Sequence, residues 1–536
     1  MARTPLMQFI LRARNNAFVA TPKQSDTNID LNNSTLNTVS RRHFIRRSIA
    51  FSAGGVGLTA LGHWRLASAN AATLPRIAVI GAGLAGLTCA YRLRQAGLAA
   101  TVYEASDRVG GRCWTLRGAF ADDQIVEQGG ELIDTRHIET RQLAHELGLE
   151  LENLLQSELH GTKPCYYFNQ KHYGYEQASR DIKKIWKKVH ADVTAAGYPS
   201  TYKSHTPRGL ALDRMSIVDW INESVPGGIQ STLGQLLDVA YNIEFGAESA
   251  AQSSLNLLYL LGYIGQGNLR IFGPSNEKFH VQGGNDQLTT RLAALLEGQI
   301  ELGSALTAIR RNTDSTLRLS ITTGQTTLDH TFDSVIVTVP FSVLNTKVDL
   351  SHSGFSAVKM QAIRELGMGT NTKLHVQFNQ RYWRELGCNG DSFSDRGYQS
   401  SWEVTRAQSG TSGILVDYTG GHIGAAANQG TPVQKAEEFL TQIEPVLPGI
   451  SEHWNNKVTR HYWADHPWAL GSYSYYKVGQ YTQFGGAESE SEGNCHFAGE
   501  HTSRDYQGYL QGAVHSGEAA AQTVLASLKK SLGHKT

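Results

Sequence analysis

Cysteine is scarce in this sequence, with five residues in 536 at Cys89, Cys113, Cys165, Cys388 and Cys495. They are widely spread and odd in number, so they form neither a CxxC metal pattern nor a disulfide framework. An excess of either charge is also missing: 49 Lys+Arg stand against 48 Asp+Glu, a formal net charge of +1. No basic footprint exists for nucleic acid. The 54 glycines follow no triplet period, which excludes a collagen-like chain, and no internal repeat is present. Hydrophobic residues at 40%, aromatics at 9% and charged residues at 18% do not suit a disordered chain. The apolar run Ile49 to Leu61 is too short and too rich in Gly to span a bilayer comfortably, and the tail Val524 to Thr536 carries no hydrophobic anchor. At roughly 100–200 residues per domain, the length implies two or more domains. These absences leave a soluble, multidomain globular protein, expected to be an enzyme with no metal site and no stable membrane anchor.

The first 71 residues differ from the rest. Residues 1–39 are polar, rich in Asn and Thr, and without periodicity. Ser40-Arg41-Arg42-His43-Phe44-Ile45-Arg46-Arg47 then precedes the short apolar run, and Ala67-Ser68-Ala69 and Ala69-Asn70-Ala71 offer small residues at A-x-A spacing. A charged start, an apolar stretch and a small-residue exit make up a secretory signal. The arginine pair in S-R-R-x-F looks like the twin-arginine export signal. The expectation is a disordered leader plus signal over 1–71, engagement of the twin-arginine export machinery, and a periplasmic or secreted bacterial product. Cargoes of that route are exported folded, so the signal itself suggests a bound cofactor. Residues 1–71 hold nine Lys+Arg and two acids, which leaves 40 basic against 46 acidic residues and a net charge of −6 after processing. Such a body suits cationic small molecules better than nucleic acid.

Arg76 to Ile80 is a β-branched run that reads as a buried parallel strand. It leads into Gly81-Ala82-Gly83-Leu84-Ala85-Gly86 and a helical pattern through Leu93 to Gly97. A second strand, Ala100 to Tyr103, ends in Glu104, about 18 residues beyond Gly86. Strand, turn, helix, strand and acid form the dinucleotide-binding fingerprint. Gly81 permits the tight turn, Gly83 lets the backbone approach a pyrophosphate, and Gly86 lets the helix lie close to the sheet. Glu104 is placed to accept hydrogen bonds from a ribose.

Just after the acid comes Arg108-Val109-Gly110-Gly111-Arg112, and here the chain resembles the flavin-dependent amine oxidase superfamily. In that superfamily the R-x-G-G-R motif clamps the pyrophosphate of FAD, a task that suits the guanidinium fork of Arg112. The resemblance extends over most of 74–528. Val126 to Ile133, with Gly129, Gly130 and Glu131, looks like the segment beside the isoalloxazine. Lys278 to Gly284 resembles the second Gly-Gly entry into the FAD domain, and Leu306 lies where the family's backbone meets the adenine. Phe497-Ala498-Gly499-Glu500-His501-Thr502-Ser503 precedes Tyr506 to Ala513. By resemblance, Gly499 and Glu500 hold the ribityl or pyrophosphate region, and a helix opening near Gly508, with Tyr509 and Leu510, aims at flavin N1–C2=O. Trp468 belongs to the stretch Trp463 to Tyr473 that lines the flavin face.

The implied fold is α/β: a Rossmann-like FAD-binding domain over 74–146, 277–350 and 460–528, interleaved with an α+β substrate-binding domain over 147–276 and 351–459. Within the latter, Arg180 to Val193 and Leu233 to Tyr241 read as helices. Lys373 to Phe378 and Ile414 to Tyr418 read as strands. Lys373 matches the family lysine that holds a water against flavin N5; the plainer alternative is a lysine on a solvated strand edge. Tyr473 and Tyr509 fall on the family's aromatic pair, between which the amine passes, although two core tyrosines would look the same. Ser472 stands where the mitochondrial monoamine oxidases carry a flavin-linked Cys, so the FAD is expected to be non-covalent.

The implied reaction takes a primary amine or di-/polyamine to an imine, then to aldehyde and ammonia, while O2 becomes H2O2. Amino-acid oxidases of the superfamily carry an Arg shortly after the Gly-Gly pair, where this chain has Leu132. Asp134 falls where some polyamine oxidases place an acid for a distal ammonium, though it also reads as a turn or N-cap residue before a helix. An L-amino-acid oxidase is the runner-up, weakened by Leu132 but kept open by the nearby Arg136. A non-catalytic flavoprotein is the alternative from another class, and the superfamily's desaturases and protoporphyrinogen oxidases stay open. A homodimer is compatible with all of these.

Overall fold

The computed structural model describes residues 74–262, 269 and 271–533. The leader and the arginine pair lie outside them. The Ile77–Ile80 strand is buried at all four positions, as an apolar run without alternation requires of a strand covered on both faces. It pairs in parallel with Thr101–Tyr103 on one side and Ser334–Val337 on the other. Ile300–Glu301 and Cys495–Phe497 extend the two edges, giving a five-stranded, wholly parallel sheet. Parallel neighbours need crossovers, and the first is the Leu84–Gln95 helix. That helix lies against the C-terminal helix Leu510–Gly533, where Gly517 allows the approach. A Cβ at Gly517 would stand 2.4 Å from the Ala85 carbonyl oxygen. Val79, Leu87, Leu93, Val102, Leu288 and Val514 fill the core beneath.

A seven-stranded sheet forms the second layer, in the order Trp454–Tyr462, Thr372–Phe378, Gly413–Thr419, Ser400–Glu403, Cys388–Ser394, Lys163–Phe168, Lys171–His172. Its pairings are antiparallel except that between Cys388–Ser394 and Lys163–Phe168. The polar–apolar alternation of Thr372–Phe378 does not mark a wet face, since all seven residues are buried. Leu374, Val376 and Phe378 join a core with Trp383, Phe439 and Ile443. The alternate residues meet the 121–131 segment instead: Gln377 bonds Ala121 and Gln124, and Lys373 bonds Glu127, Gly129 and Glu131. Thus one strand carries a dry core face and a polar, site-building face. The helices Tyr175–Ala196 and Thr232–Phe245 flank this sheet. A third sheet, Ser304–Arg311, Leu317–Thr323 and Thr326–Phe332, is antiparallel. Among the described residues no helix is long and apolar enough to cross a membrane.

Candidate active site

A cavity of about 730 Å³ is bordered by both layers. Gly81, Gly83, Leu84, Ala85, Glu104, Arg108, Gly111, Arg112, Leu306, Gly499 and Glu500 line it from the parallel sheet's side, together with Gly129, Gly130 and Glu131. Lys373, Trp402, Tyr418, Tyr473, Trp468, Tyr509 and Leu510 also line it.

The turn between the first strand and helix is built for close approach. Gly81 adopts φ +105°, which glycine alone takes without strain, and its N–H donates to the Tyr103 carbonyl at 2.7 Å. A Cβ on Gly83 would meet nothing within 4 Å, so the residue presents bare backbone to open space. No side chain caps the helix that follows, so its end is left for an anion. Neither Ala82 nor Gly86 lines the cavity; both brace the turn, and Gly86 allows the close approach of helix and sheet expected of it. Ala82 donates its N–H to Glu104 at 2.7 Å, and a Cβ on Gly86 would lie 1.9 Å from the Gly81 carbonyl oxygen. Glu104 also accepts from the Ser106 N–H and hydroxyl, at 2.9 and 2.8 Å.

The two arginines differ. Arg108 braces its own loop by donating to the Val109 and Gly111 carbonyls, with its guanidinium 4.1 Å from the Trp114 ring centroid. Arg112 reaches across, donating to the Ser472 carbonyl at 2.8 Å and to Glu500 at 2.9 Å. Glu500 also accepts from the Ser474 hydroxyl and from the Gly508 N–H, at 2.9 and 2.8 Å. Burial pushes its carboxyl up, yet the Arg112 guanidinium, with His501 and the Ser474 hydroxyl, outweighs that and holds it below the usual carboxylate range. Bare Gly83, an uncapped helix end and a guanidinium at one cavity wall are the donors that a dinucleotide pyrophosphate needs, and the residues fit that group.

Lys373 donates to the Glu127 and Gly129 carbonyls, each at 3.0 Å, and to the Glu131 carboxylate at 2.6 Å. The other Glu131 oxygen accepts from the Trp402 indole at 2.9 Å. Trp402 stands edge-on to Tyr418, with centroids 5.0 Å apart, and the Tyr418 hydroxyl lies 2.9 Å from that of Tyr473. Tyr473 donates onward to the Ile243 carbonyl at 2.8 Å, and burial pushes its phenol well up. Tyr509 packs edge-on to His137, with centroids 5.0 Å apart. Glu131, Lys373, Tyr473 and Tyr509 therefore share one cavity, and Trp402 and Tyr418 bridge Glu131 to Tyr473. Neither bridging aromatic is visible in sequence, where each reads as an ordinary strand residue.

Asp134 needs correction. It does not line the cavity and is 1% exposed. Its Oδ1 accepts from the Ser275 hydroxyl and from the Asn276 and Glu277 N–H groups, so it clamps a turn and is not free for substrate. The carboxylate bordering the cavity nearby is Glu277, which no motif signals. Ser472, expected beside the flavin, lines the cavity and donates to Asn371 at 2.6 Å.

Comparison with known proteins agrees with this architecture. Residues 84–525 match the model of the flavin-containing amine oxidoreductases. The pig protein "Amine oxidase [flavin-containing] A" is 25% identical over 484 residues, covering 86% of this chain and 87% of its own. Among solved structures, cyclohexylamine oxidase from Brevibacterium oxydans IH-35A superposes with a TM-score of 0.74 at 21% identity, over 85% of this chain and 99% of that one. Putrescine oxidase bound to putrescine gives 0.73 at 21%, over 84% and 99%. This chain belongs to the flavin-containing amine oxidoreductase family and is a flavin-dependent oxidoreductase acting on amines.

Proposed function

We propose that this chain oxidises a primary amine, or an amino group of a di- or polyamine, to an imine that water converts to aldehyde and ammonia. Oxygen takes the electrons and becomes hydrogen peroxide. FAD, held without a covalent link, would occupy the cavity and supply the two-electron acceptor; Gly83, the Leu84 helix end and Arg112 would hold its diphosphate. Ser472 supports the non-covalent reading, because a serine cannot form the thioether of the Cys-bearing relatives. The observation that carries the proposal is the Lys373 ammonium, fixed in the same cavity as Trp402, Tyr418 and Tyr473. The aromatic walls exclude water and accept the neutral amine, while the anchored cation favours electron transfer to oxygen. Among the described residues, the arginines lining the cavity are Arg108 and Arg112, both in the dinucleotide motif, so none is placed for a substrate carboxylate. That favours amines over amino acids. Purified protein given a panel of amines and amino acids should release peroxide with amines; peroxide from amino acids alone would replace this reading with the amino-acid oxidase. Acid precipitation should leave the yellow chromophore in solution. Export through the twin-arginine route to the periplasm or medium, inferred from Arg41-Arg42, is part of the same proposal.

A further inference from the structure

We propose that Glu277 selects the substrate: its carboxylate receives the second ammonium of a diamine whose other nitrogen is presented for oxidation. This inference rests on the amine-oxidising reading and names the substrate class within it.

The first support is backbone conformation. Glu277 holds φ at +48°, a left-handed geometry that a non-glycine residue keeps only when its surroundings impose it, at about 1–3 kcal/mol. Here Asp134 imposes it. Its buried Oδ1 gathers the Ser275 hydroxyl at 2.9 Å, the Asn276 N–H at 3.0 Å and the Glu277 N–H at 2.7 Å. His137 stands 3.4 Å from the other Asp134 oxygen. A fully buried acid thus fixes the backbone of a second acid at the cavity wall.

The second support is the state of the cavity's carboxylates. Glu131 is bound by Lys373 and Trp402, Glu500 by Arg112, and Glu104 by Ala82 and Ser106. Asp391 is paired with Arg406 and takes a hydrogen bond from Asn389. Glu244 is not without an interaction, although neither of its buried oxygens accepts a hydrogen bond among the described residues. The Glu277 carboxylate has neither a hydrogen bond nor an ion pair among the described residues, and it stands at the wall that Asp134 fixes. Burial, and then the nearby Asp134, push it up to about 7. An arriving ammonium reverses that penalty by giving the charge a partner.

The third support is the wall around it. Tyr175, Leu269, Ile271, Phe272 and Phe393 line the same cavity. Apolar walls around a carboxylate that has no hydrogen bond or ion pair among the described residues fit a methylene chain ending in a cation.

The test compares α,ω-diaminoalkanes of three to eight carbons with n-alkylamines of equal length, on holoenzyme. In wild type, diamines of one length should be preferred over their monoamines. Glu277→Gln should lower the diamine-to-monoamine ratio of kcat/KM at least tenfold, through KM. Glu277→Asp, which keeps the charge but shortens the arm, should keep a preference and move its optimum to a chain one methylene longer. Anaerobic thermal shift gives a readout independent of turnover: diamine should raise the wild-type melting temperature and leave that of Glu277→Gln unmoved. Equal changes for diamines and monoamines, or a thermal shift that survives Glu277→Gln, would overturn the proposal. If wild type oxidises no amine, the functional reading falls, while the thermal arm still decides whether Glu277 binds a dication.

Discussion

The Lys373 ammonium lies 2.6 Å from the Glu131 carboxylate, and both side chains are under 10% exposed. The lysine comes from the Thr372–Phe378 strand, second from the edge of the seven-stranded sheet, and the glutamate from the Gly-Gly loop beside the parallel sheet. The ion pair therefore fastens the two layers at the cavity wall. With both neighbouring carbonyls also occupied by Lys373, its ammonium has no freedom to turn away from the cavity.

Loss of either partner should be costly in a way that loss of both is not. Lys373→Met leaves the Glu131 charge buried without its cation, which costs about 3–5 kcal/mol of stability. The double variant Lys373→Met with Glu131→Gln should regain much of that, because no buried charge is left unpaired. Thermal melts of the four proteins in the cycle measure the coupling. Flavin reoxidation by oxygen, followed by stopped flow, should stay slowed in the double variant, since the cation is still missing. Full recovery of that rate would remove Lys373 from oxygen chemistry.

Gly83 and Gly86 predict opposite outcomes for the same mutation. At Gly83 a methyl group has open space and φ is −73°, so Gly83→Ala should fold with unchanged melting temperature yet lose flavin. At Gly86 the methyl would press 1.9 Å from the Gly81 carbonyl oxygen, so Gly86→Ala should melt lower by several degrees, on the order of 1–3 kcal/mol of overpacking. The ratio of absorbance at 450 to that at 280 nm, read with the melting curve, separates the two losses.

Arg112 makes two different contacts through one nitrogen, to Glu500 and to the Ser472 carbonyl. Arg112→Lys keeps the charge but loses the fork. It should retain fold, bind flavin on the order of tenfold more weakly, and release it during gel filtration, an expectation that rests on the value of about 1.4 kcal/mol per tenfold. Equal flavin retention in variant and wild type would assign Arg112 to structure alone.

The parallel sheet was legible because its signals are local. The apolar run at Ile77–Ile80, the glycines that follow and Glu104 lie within one strand–helix–strand unit, and each has a physical requirement tied to its neighbours in the chain. Lys373 and Tyr473 were legible through resemblance, though not their partners. Trp402 and Tyr418 reach the site only because antiparallel register sets Trp402 opposite Val416 and Ser400 opposite Tyr418, which no local pattern encodes. Asp134 misled because an acid before a helix, near a Gly-Gly pair, looks the same whether it faces a cavity or clamps a turn. What it clamps is 141 to 143 residues distant in sequence. Glu277 gave no signal for the same reason, since its left-handed backbone is imposed from that distance.

His280 makes stability depend on pH in a direction opposite to that of an ordinary carboxylate pair. Burial alone would lower its pKa, but its ring nitrogens lie 2.8 Å from Glu127 and 3.3 Å from Glu152, and these contacts outweigh burial and raise it to about 10. The unfolded chain releases that proton near pH 6.5, roughly the free imidazole value. Between those limits the folded protein holds more protons than the unfolded one, so stability falls as pH rises, by at most about 1.4 kcal/mol per pH unit. The contribution is fully present below pH 6.5 and lost as pH passes through about 10. Glu127 feels the loss directly, since the same oxygen that meets His280 accepts the Asn285 N–H, and the Glu127 carbonyl holds Lys373. Melting temperatures of wild type and His280→Gln, taken from pH 6 to 10, should converge as pH rises, with wild type higher at pH 6. Parallel curves would show that His280 is neutral throughout and that Glu127 is anchored by Thr115 and Asn285 alone.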